Sequence, residues 1–251
     1  MSSLTSLFPD SSFVTISQLT NTFGQLHIYN TNTDNVTNGG QCCLWTVPAG
    51  VTWAKFEVWG GGGDGAGSCC CQQASMGGGS GSYARKTTRV VAGQSYTICA
   101  GGSGCCAQNA TGTSGFPSYA CNPSSTYPLC LCASGGPGGT SCCFAAISGN
   151  YHCSTVICGC ACGHDFALCG VSGSAHQSWC GYDAWQYVPN GTYIGAGVKV
   201  GSTQCGEMWV GCCVAGKNTF PGGGGGTSLS YSGACCWGGW GAGGLVIITY
   251  K

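Results

Sequence analysis

Charged side chains are scarce in this 251-residue chain, and the few that occur balance each other. Seven Lys and Arg stand against seven Asp and Glu, so charged residues make up 6% of the chain and the formal net charge is zero. Nucleic-acid phosphates are held by clusters of basic side chains, and this chain has too few to form one. We therefore expect no nucleic-acid partner. Disorder driven by charge is also excluded, because 43% of the residues are hydrophobic.

Long hydrophobic runs are also missing. Runs such as residues 245–248 are far too short to cross a bilayer. The first twelve residues contain no basic residue and no run of seven apolar residues, which an export leader would need. The sequence predicts a soluble protein that neither inserts into a membrane nor carries an ordinary leader.

The C-x2-C pair typical of zinc ribbons and redox motifs does not occur among the 24 cysteines. Many cysteines are instead adjacent in sequence. Successive side chains of an extended strand point to opposite faces, so adjacent cysteines can connect their segment to neighbours on both sides. We interpret them as lateral disulfide bridges between layers. The adjacent cysteines are Cys42-Cys43, Cys69-Cys70-Cys71, Cys105-Cys106, Cys142-Cys143, Cys212-Cys213 and Cys235-Cys236.

A stretch rich in cysteine and histidine leaves a metal site open as an alternative. Alternate cysteines on a strand share a face, and thiolates with imidazoles could close a tetrahedral site. The C-x-C-x-C spacing fits no standard structural zinc pattern, so we favour disulfides and predict neither a metal nor another cofactor. A metal-binding, cysteine-rich protein is kept as a second alternative. The stretch contains His152, Cys153, Cys158, Cys160, Cys162 and His164.

Glycine is the most abundant residue type in the chain, and many of its 48 positions occur in runs. The runs lack the strict triplet of collagen, but short polyglycine helices with three residues per turn can pack side by side where glycine faces glycine. Their backbone groups would then pair laterally. Such a core buries little apolar area, and disulfides at about 2–4 kcal/mol each could supply the missing stability.

Period-two patterns predict several β-strands. Residues 51–59 alternate, with Ala54, Phe56 and Val58 on one face and Trp53, Lys55, Glu57 and Trp59 on the other. Residues 83–91 and 94–100 predict a hairpin around an Ala-Gly turn, and residues 245–250 predict a central strand. We expect a mainly β fold with irregular, polyglycine-helix-like layers, in which a small sheet frames a disulfide-rich, loop-rich interior.

Composition divides the chain at about residue 41. Residues 1–41 contain no cysteine and are rich in Ser, Thr and Asn, whereas the rest is rich in glycine and cysteine. We predict an N-terminal segment for attachment and oligomerisation at 1–41, and a glycine- and cysteine-rich distal domain at 42–251.

No motif indicates an enzyme. The seven acidic residues are scattered, and none of the 24 cysteines is marked out as a nucleophile. We predict no catalytic residues. Exposed aromatic side chains suit a binding surface better, although they could also fill gaps in a glycine-rich core. The candidate receptor-binding residues are Trp179, Tyr182, Trp185, Tyr187, Trp237 and Trp240.

Five blocks, in this order, resemble the glycine-rich domain of bacteriophage tail fibres and adhesins. The resemblance covers residues 45–251 and departs from the family in the adjacent cysteines and in the stretch 121–205. The blocks are Trp45-Thr-Val-Pro-Ala-Gly-Val-Thr52, Trp59-Gly-Gly-Gly-Gly63, Gly77-Gly-Gly-Ser-Gly-Ser-Tyr-Ala-Arg85, Val91-Ala-Gly-Gln-Ser-Tyr-Thr-Ile98 and Gly241-Ala-Gly-Gly-Leu-Val-Ile-Ile-Thr-Tyr250.

The resemblance implies a virion tail fibre that recognises and adsorbs to the host surface and becomes extracellular after lysis. The implied partners are two further copies in a homotrimer, a baseplate or tail protein bound through residues 1–43, and a host receptor, which we expect to be a glycan. Cys42 or Cys43 would form a disulfide with another chain. The first alternative is a structural coat or decoration protein of a virion without a ligand.

Overall fold

The computed structural model describes residues 40–66, 78–103, 111–139, 161–170, 220–225 and 239–251, together with the backbone alone of seven further strands. Every regular element in these residues is a β-strand. No helix long and apolar enough to span a membrane occurs in this described part of the chain. The strands are β1 (Gln25–Asn30), β2 (Gln41–Thr46), β3 (Trp53–Trp59), β4 (Ala74–Ser75), β5 (Tyr83–Arg89), β6 (Ser95–Ala100), β7 (Ser118–Asn122), β8 (Leu129–Ala133), β9 (Ser141–Cys142), β10 (Tyr151–Ser154), β11 (Ala161–Cys162), β12 (Phe166–Leu168), β13 (Ser174–Gln177), β14 (Thr192–Ile194), β15 (Val198–Val200) and β16 (Leu245–Tyr250).

Ten of these strands form two antiparallel sheets of five. The first sheet has the order β1-β16-β3-β5-β12, and the second has the order β11-β8-β7-β6-β2. The remaining strands form the pairs β4–β9, β10–β13 and β14–β15. This arrangement confirms the predicted mainly β fold. It also confirms that β16 is not an edge strand, because β1 and β3 flank it.

The alternation in β3 places its apolar side chains between the two sheets. Ala54, Phe56 and Val58 are buried, as predicted from the period of two. Lys55 and Glu57 point to the opposite face, where the Lys55 Nζ lies 2.7 Å from a Glu57 carboxylate oxygen. This opposite face carries charged side chains at Lys55 and Glu57, but it is buried in a second hydrophobic cluster at Trp59, Tyr83 and Leu245.

Aromatic side chains from both sheets meet in the core. The ring centroid of Trp45 in the second sheet lies 5.7 Å from that of Phe56 and 5.3 Å from that of Tyr250 in the first. Large aromatic side chains bury the most apolar area per residue, so this contact is a main attraction between the sheets. Other members of the core are Val58, Tyr96, Ile98, Leu129, Leu131, Val246 and Ile248.

The predicted hairpin at residues 83–100 is wrong. Its two strands exist, but β5 belongs to the first sheet and β6 to the second. The chain turns between the sheets at Gly93, whose φ of +83° is in the left-handed region that favours glycine. The Gly93 N–H donates to the Val47 carbonyl at 2.9 Å, so the turn is fixed to the segment after β2 and not to β5.

Glycine-rich segments meet at one end of the sandwich. Strands β3 and β8 continue into them, and strands β5, β7 and β16 emerge from them. The buried Ser118 hydroxyl joins the sheets at this junction, because it donates to the Trp59 carbonyl and accepts from the Gly101 N–H. We call these segments the glycine bundle. Its segments are 60–65, 78–82, 112–116, 134–139, 222–225 and 239–244.

Strand β1 comes from the predicted N-terminal segment. It pairs with β16 along its whole length, from Gln25 opposite Tyr250 to Asn30 opposite Leu245. Part of residues 1–41 therefore adds an edge strand to the first sheet. The division of the chain at residue 41 and the attachment role of the first segment stay predictions.

Candidate functional site

The segment 60–65 lies at the centre of the glycine bundle and bonds to the five other segments. Its six successive N–H groups donate to three neighbours in rotation, at 2.8 or 2.9 Å. The pattern of acceptors repeats every three residues, and three residues per turn is the period of a polyproline II helix. Residues 60 and 63 donate to segment 78–82, residues 61 and 64 to segment 112–116, and residues 62 and 65 to segment 239–244.

Only glycine allows the bundle segments to approach so closely. A Cβ atom added at Gly62 would lie 1.9 Å from the Gly223 carbonyl oxygen, and one added at Gly61 would lie 2.0 Å from that of Gly102. Backbone is therefore packed directly against backbone, and the lateral hydrogen bonds satisfy groups that a sheet would otherwise pair. For the residues described, this confirms the predicted polyglycine-helix-like layers.

Asp64 is a buried carboxyl group inside the bundle. Its Oδ1 accepts a hydrogen bond of 2.7 Å from the Gly241 N–H, whereas Oδ2 has no hydrogen-bond partner among the described residues. Burial raises the pKa of Asp64 to about 6, although the hydrogen bond from Gly241 acts in the opposite direction. We did not predict this residue; the signal for it was a single charge within the glycine run that follows β3.

Trp240 is the one predicted receptor-binding residue whose position the structure describes. Its side chain is 49% exposed, although it lies in the bundle segment 239–244. The backbone on both sides is fixed, because the Gly239 carbonyl accepts from the Gly65 N–H at 2.8 Å and the Gly241 N–H donates to Asp64. The indole is therefore presented to solvent from a tightly bonded backbone.

The other candidate receptor-binding residues lie outside the residues that the structure describes, and their role stays a prediction. They are Trp179, Tyr182, Trp185, Tyr187 and Trp237.

Cys42 is bonded within its own chain. It forms a disulfide with Cys99, the residue directly opposite it on β6, and the two Cα atoms are 4.1 Å apart. The sulfur of Cys42 is thus not available to a second chain, which corrects the intermolecular role predicted for it. The bridge also joins neighbouring strands of one sheet and not two layers. Cys43 is exposed on the edge strand β2, and an intermolecular role for it stays a prediction.

The structure describes only part of the stretch 152–164, which contains the candidate metal ligands. Cys162 and His164 are exposed, and the other four candidate ligands have no described side chain. Among the side chains described, no group of three His, Cys, Asp or Glu residues could hold a metal ion. The metal alternative therefore stays open for the remaining residues of the stretch.

The fold and the bundle together define a class of protein, an antiparallel β-sandwich that ends in packed glycine helices. A family model described as a glycine-rich domain matches residues 36–251, and the chain belongs to this family. The match begins just before β2 and includes every bundle segment. No curated protein matches the chain.

Proposed function

We propose that this protein is a phage tail fibre that mediates recognition of the host surface and adsorption to it. The observation that supports this most is the exposed Trp240 on the fixed backbone of the glycine bundle. A side chain whose backbone is already ordered loses less conformational entropy on binding than one on a mobile loop. The bundle is therefore a suitable base for a recognition surface.

The proposed receptor is a glycan. With only 14 charged residues, the chain offers few partners for a strongly charged ligand. Sugars are mostly neutral, and their apolar C–H faces can stack on the flat face of an indole while hydroxyl groups bond to polar groups at its edge. Trp240, which is 49% exposed, supplies such a face.

The cysteine content is consistent with a virion. A phage is assembled in a reducing host cytoplasm and meets an oxidising medium after lysis, so disulfides such as Cys42–Cys99 can form without export of the single chain. Within this proposal the fibre is a homotrimer, and residues 1–43 attach it to a baseplate or tail protein.

Adsorption of particles to host cells tests the proposal. In particles that carry Trp240→Ala, we expect adsorption to fall by about tenfold or more, because loss of a central aromatic contact typically costs at least 1–2 kcal/mol. The matched control is Trp53→Ala, which removes a tryptophan that is 40% exposed on the sandwich and lies against Arg89. This control should leave adsorption unchanged.

Two outcomes would contradict the proposal. If antibodies against the folded chain do not label the particle in electron micrographs, the protein is not a virion component. If they label it but neither Trp240→Ala nor an excess of the purified chain lowers adsorption, the protein is better described as a coat or decoration protein without a ligand.

A further inference from the structure

Six cysteines lie on the outer face of the second sheet. Strands β6 and β8 bury Ile98, Leu129 and Leu131 in the core, so the alternate residues of these strands point away from it. The strand register extends this outer face across all five strands of the sheet. Its cysteines are Cys42 on β2, Cys99 on β6, Cys121 on β7, Cys130 and Cys132 on β8, and Cys162 on β11.

These six residues form three directly opposed pairs. Cys42 faces Cys99, Cys121 faces Cys130, and Cys132 faces Cys162. The first pair is a disulfide, which demonstrates that this face accommodates a bridge between opposed residues. Opposed residues of an antiparallel pair have Cα atoms about 4.5–5.5 Å apart, within the range that a disulfide spans.

The thiols of the other two pairs already contact each other. Cys121 and Cys130 interact through a hydrogen bond between their side chains, as do Cys132 and Cys162. Each pair has one exposed member, Cys130 or Cys162, and one half-buried member. An incoming oxidant can therefore reach one sulfur of each pair, while the second sulfur lies beside it.

We propose that Cys121 bonds to Cys130 and Cys132 to Cys162, which completes a row of three disulfides across the outer face of the second sheet. The oxidant is a small disulfide such as oxidised glutathione. The exposed thiolate attacks it and releases one reduced thiol, and the neighbouring cysteine then displaces the second. Two protein thiols lose two electrons and two protons, and the small disulfide becomes two thiols.

The environment of the sulfurs favours this order of attack. Burial raises the pKa of Cys132 to about 11 and also raises that of Cys121, and each neighbouring thiol adds to the shift. These half-buried residues are rarely thiolates at neutral pH, so they are poor first nucleophiles. They need to react only in the second, intramolecular step.

The register also disfavours other pairings on this face. Cys130 and Cys132 belong to the same strand and are two positions apart, about 6.6 Å, which is near the upper limit for a disulfide. Tyr119 stands opposite both Cys99 and Cys132, so it separates these two cysteines. The pairing follows from strand register and is independent of the proposed host recognition.

Mapping the disulfides of the full chain tests the inference. The purified protein is reduced, incubated with oxidised glutathione, trapped with N-ethylmaleimide and digested with pepsin at acid pH, where exchange is slow. Cleavage near Tyr127, Leu131 and Phe144 separates the four cysteines. We expect one peptide pair linked through Cys121 and Cys130 and another through Cys132 and Cys162, both lost on reduction.

Single variants make the assignment specific. Cys130→Ser should leave Cys121 free to react with N-ethylmaleimide and keep the Cys132–Cys162 bridge. Cys162→Ser should leave Cys132 free to react and keep the Cys121–Cys130 bridge. Cys169→Ser, which removes an exposed thiol outside the row, should change neither bridge. The inference is overturned if the four cysteines remain free after oxidation, and are therefore alkylated by N-ethylmaleimide, or if they bond mainly to other cysteines. It is also overturned if the reduced chain binds stoichiometric zinc and this zinc prevents both bridges.

Discussion

Asp64 is buried, and no basic side chain among the described residues compensates the charge of its carboxylate. The pKa is raised from 3.8 to about 6, so the folded protein holds the proton more tightly than the unfolded chain does. Protonation therefore stabilises the fold, and this contribution is fully present below about pH 4. It decreases as the pH rises and is lost above about pH 6. The effect is about 3 kcal/mol, on the scale of 1.36 kcal/mol for each pKa unit.

Replacing Asp64 by Asn should remove this dependence. The amide oxygen can still accept the Gly241 N–H, but the side chain no longer ionises. We expect the variant to be more stable than the parent above about pH 6 and similar to it near pH 4. Urea unfolding, followed by tryptophan fluorescence at both pH values, measures the difference. Equal pH dependence in the two proteins would mean that Asp64 is not the titrating group.

Among the elements, the bundle segments depend on glycine for space and not only for conformation. In Gly62→Ala the new Cβ would meet the backbone of Gly223, which cannot move aside as a side chain can. We expect the free energy of unfolding to fall by about 3 kcal/mol or more.

Gly50→Ala is the matched control for this loss. Gly50 has a φ of +83° and open space around its Cβ position, so its replacement adds only backbone strain of about 1–2 kcal/mol. Denaturant unfolding of both variants compares the two costs. If both lose the same stability, close backbone packing does not hold the bundle together.

The elements that sequence could predict are those whose signal is local. The alternation of β3, the apolar run of β16 and the glycine runs each report the environment of a single segment. The hairpin failed because a Gly turn does not reveal whether the next strand pairs with the preceding one or crosses to a facing sheet. The Cys42–Cys99 bridge depends on the register of strands far apart in sequence, and the burial of Asp64 depends on five surrounding segments.

At the scale of the whole molecule, part of the cysteine-rich stretch 121–205 belongs to the sandwich. It contributes β8, whose Leu129 and Leu131 are buried in the core between the sheets. Deletion of the stretch would therefore remove part of the sandwich. Alternate residues of β8 point into the core and to the outer face of the sheet, so the two sets of side chains have separate roles.

Leu131→Ala should destabilise the whole sandwich. Truncation of a fully buried leucine leaves a cavity and typically costs about 2–5 kcal/mol. Tyr127→Ala, in the exposed turn before β8, should change the stability by no more than about 0.5 kcal/mol. Thermal unfolding of the two variants checks this difference. A Leu131→Ala protein as stable as its parent would show that β8 does not belong to the core.

The rotation of hydrogen bonds around segment 60–65 constrains how such a chain can change its length. One inserted residue would turn every later N–H by a third of a turn and aim it at the wrong neighbour. Only insertions or deletions of three residues keep each later N–H directed at the same neighbouring segment. We therefore expect that homologous chains keep the phase of their glycine runs and vary in length chiefly in the connections between them.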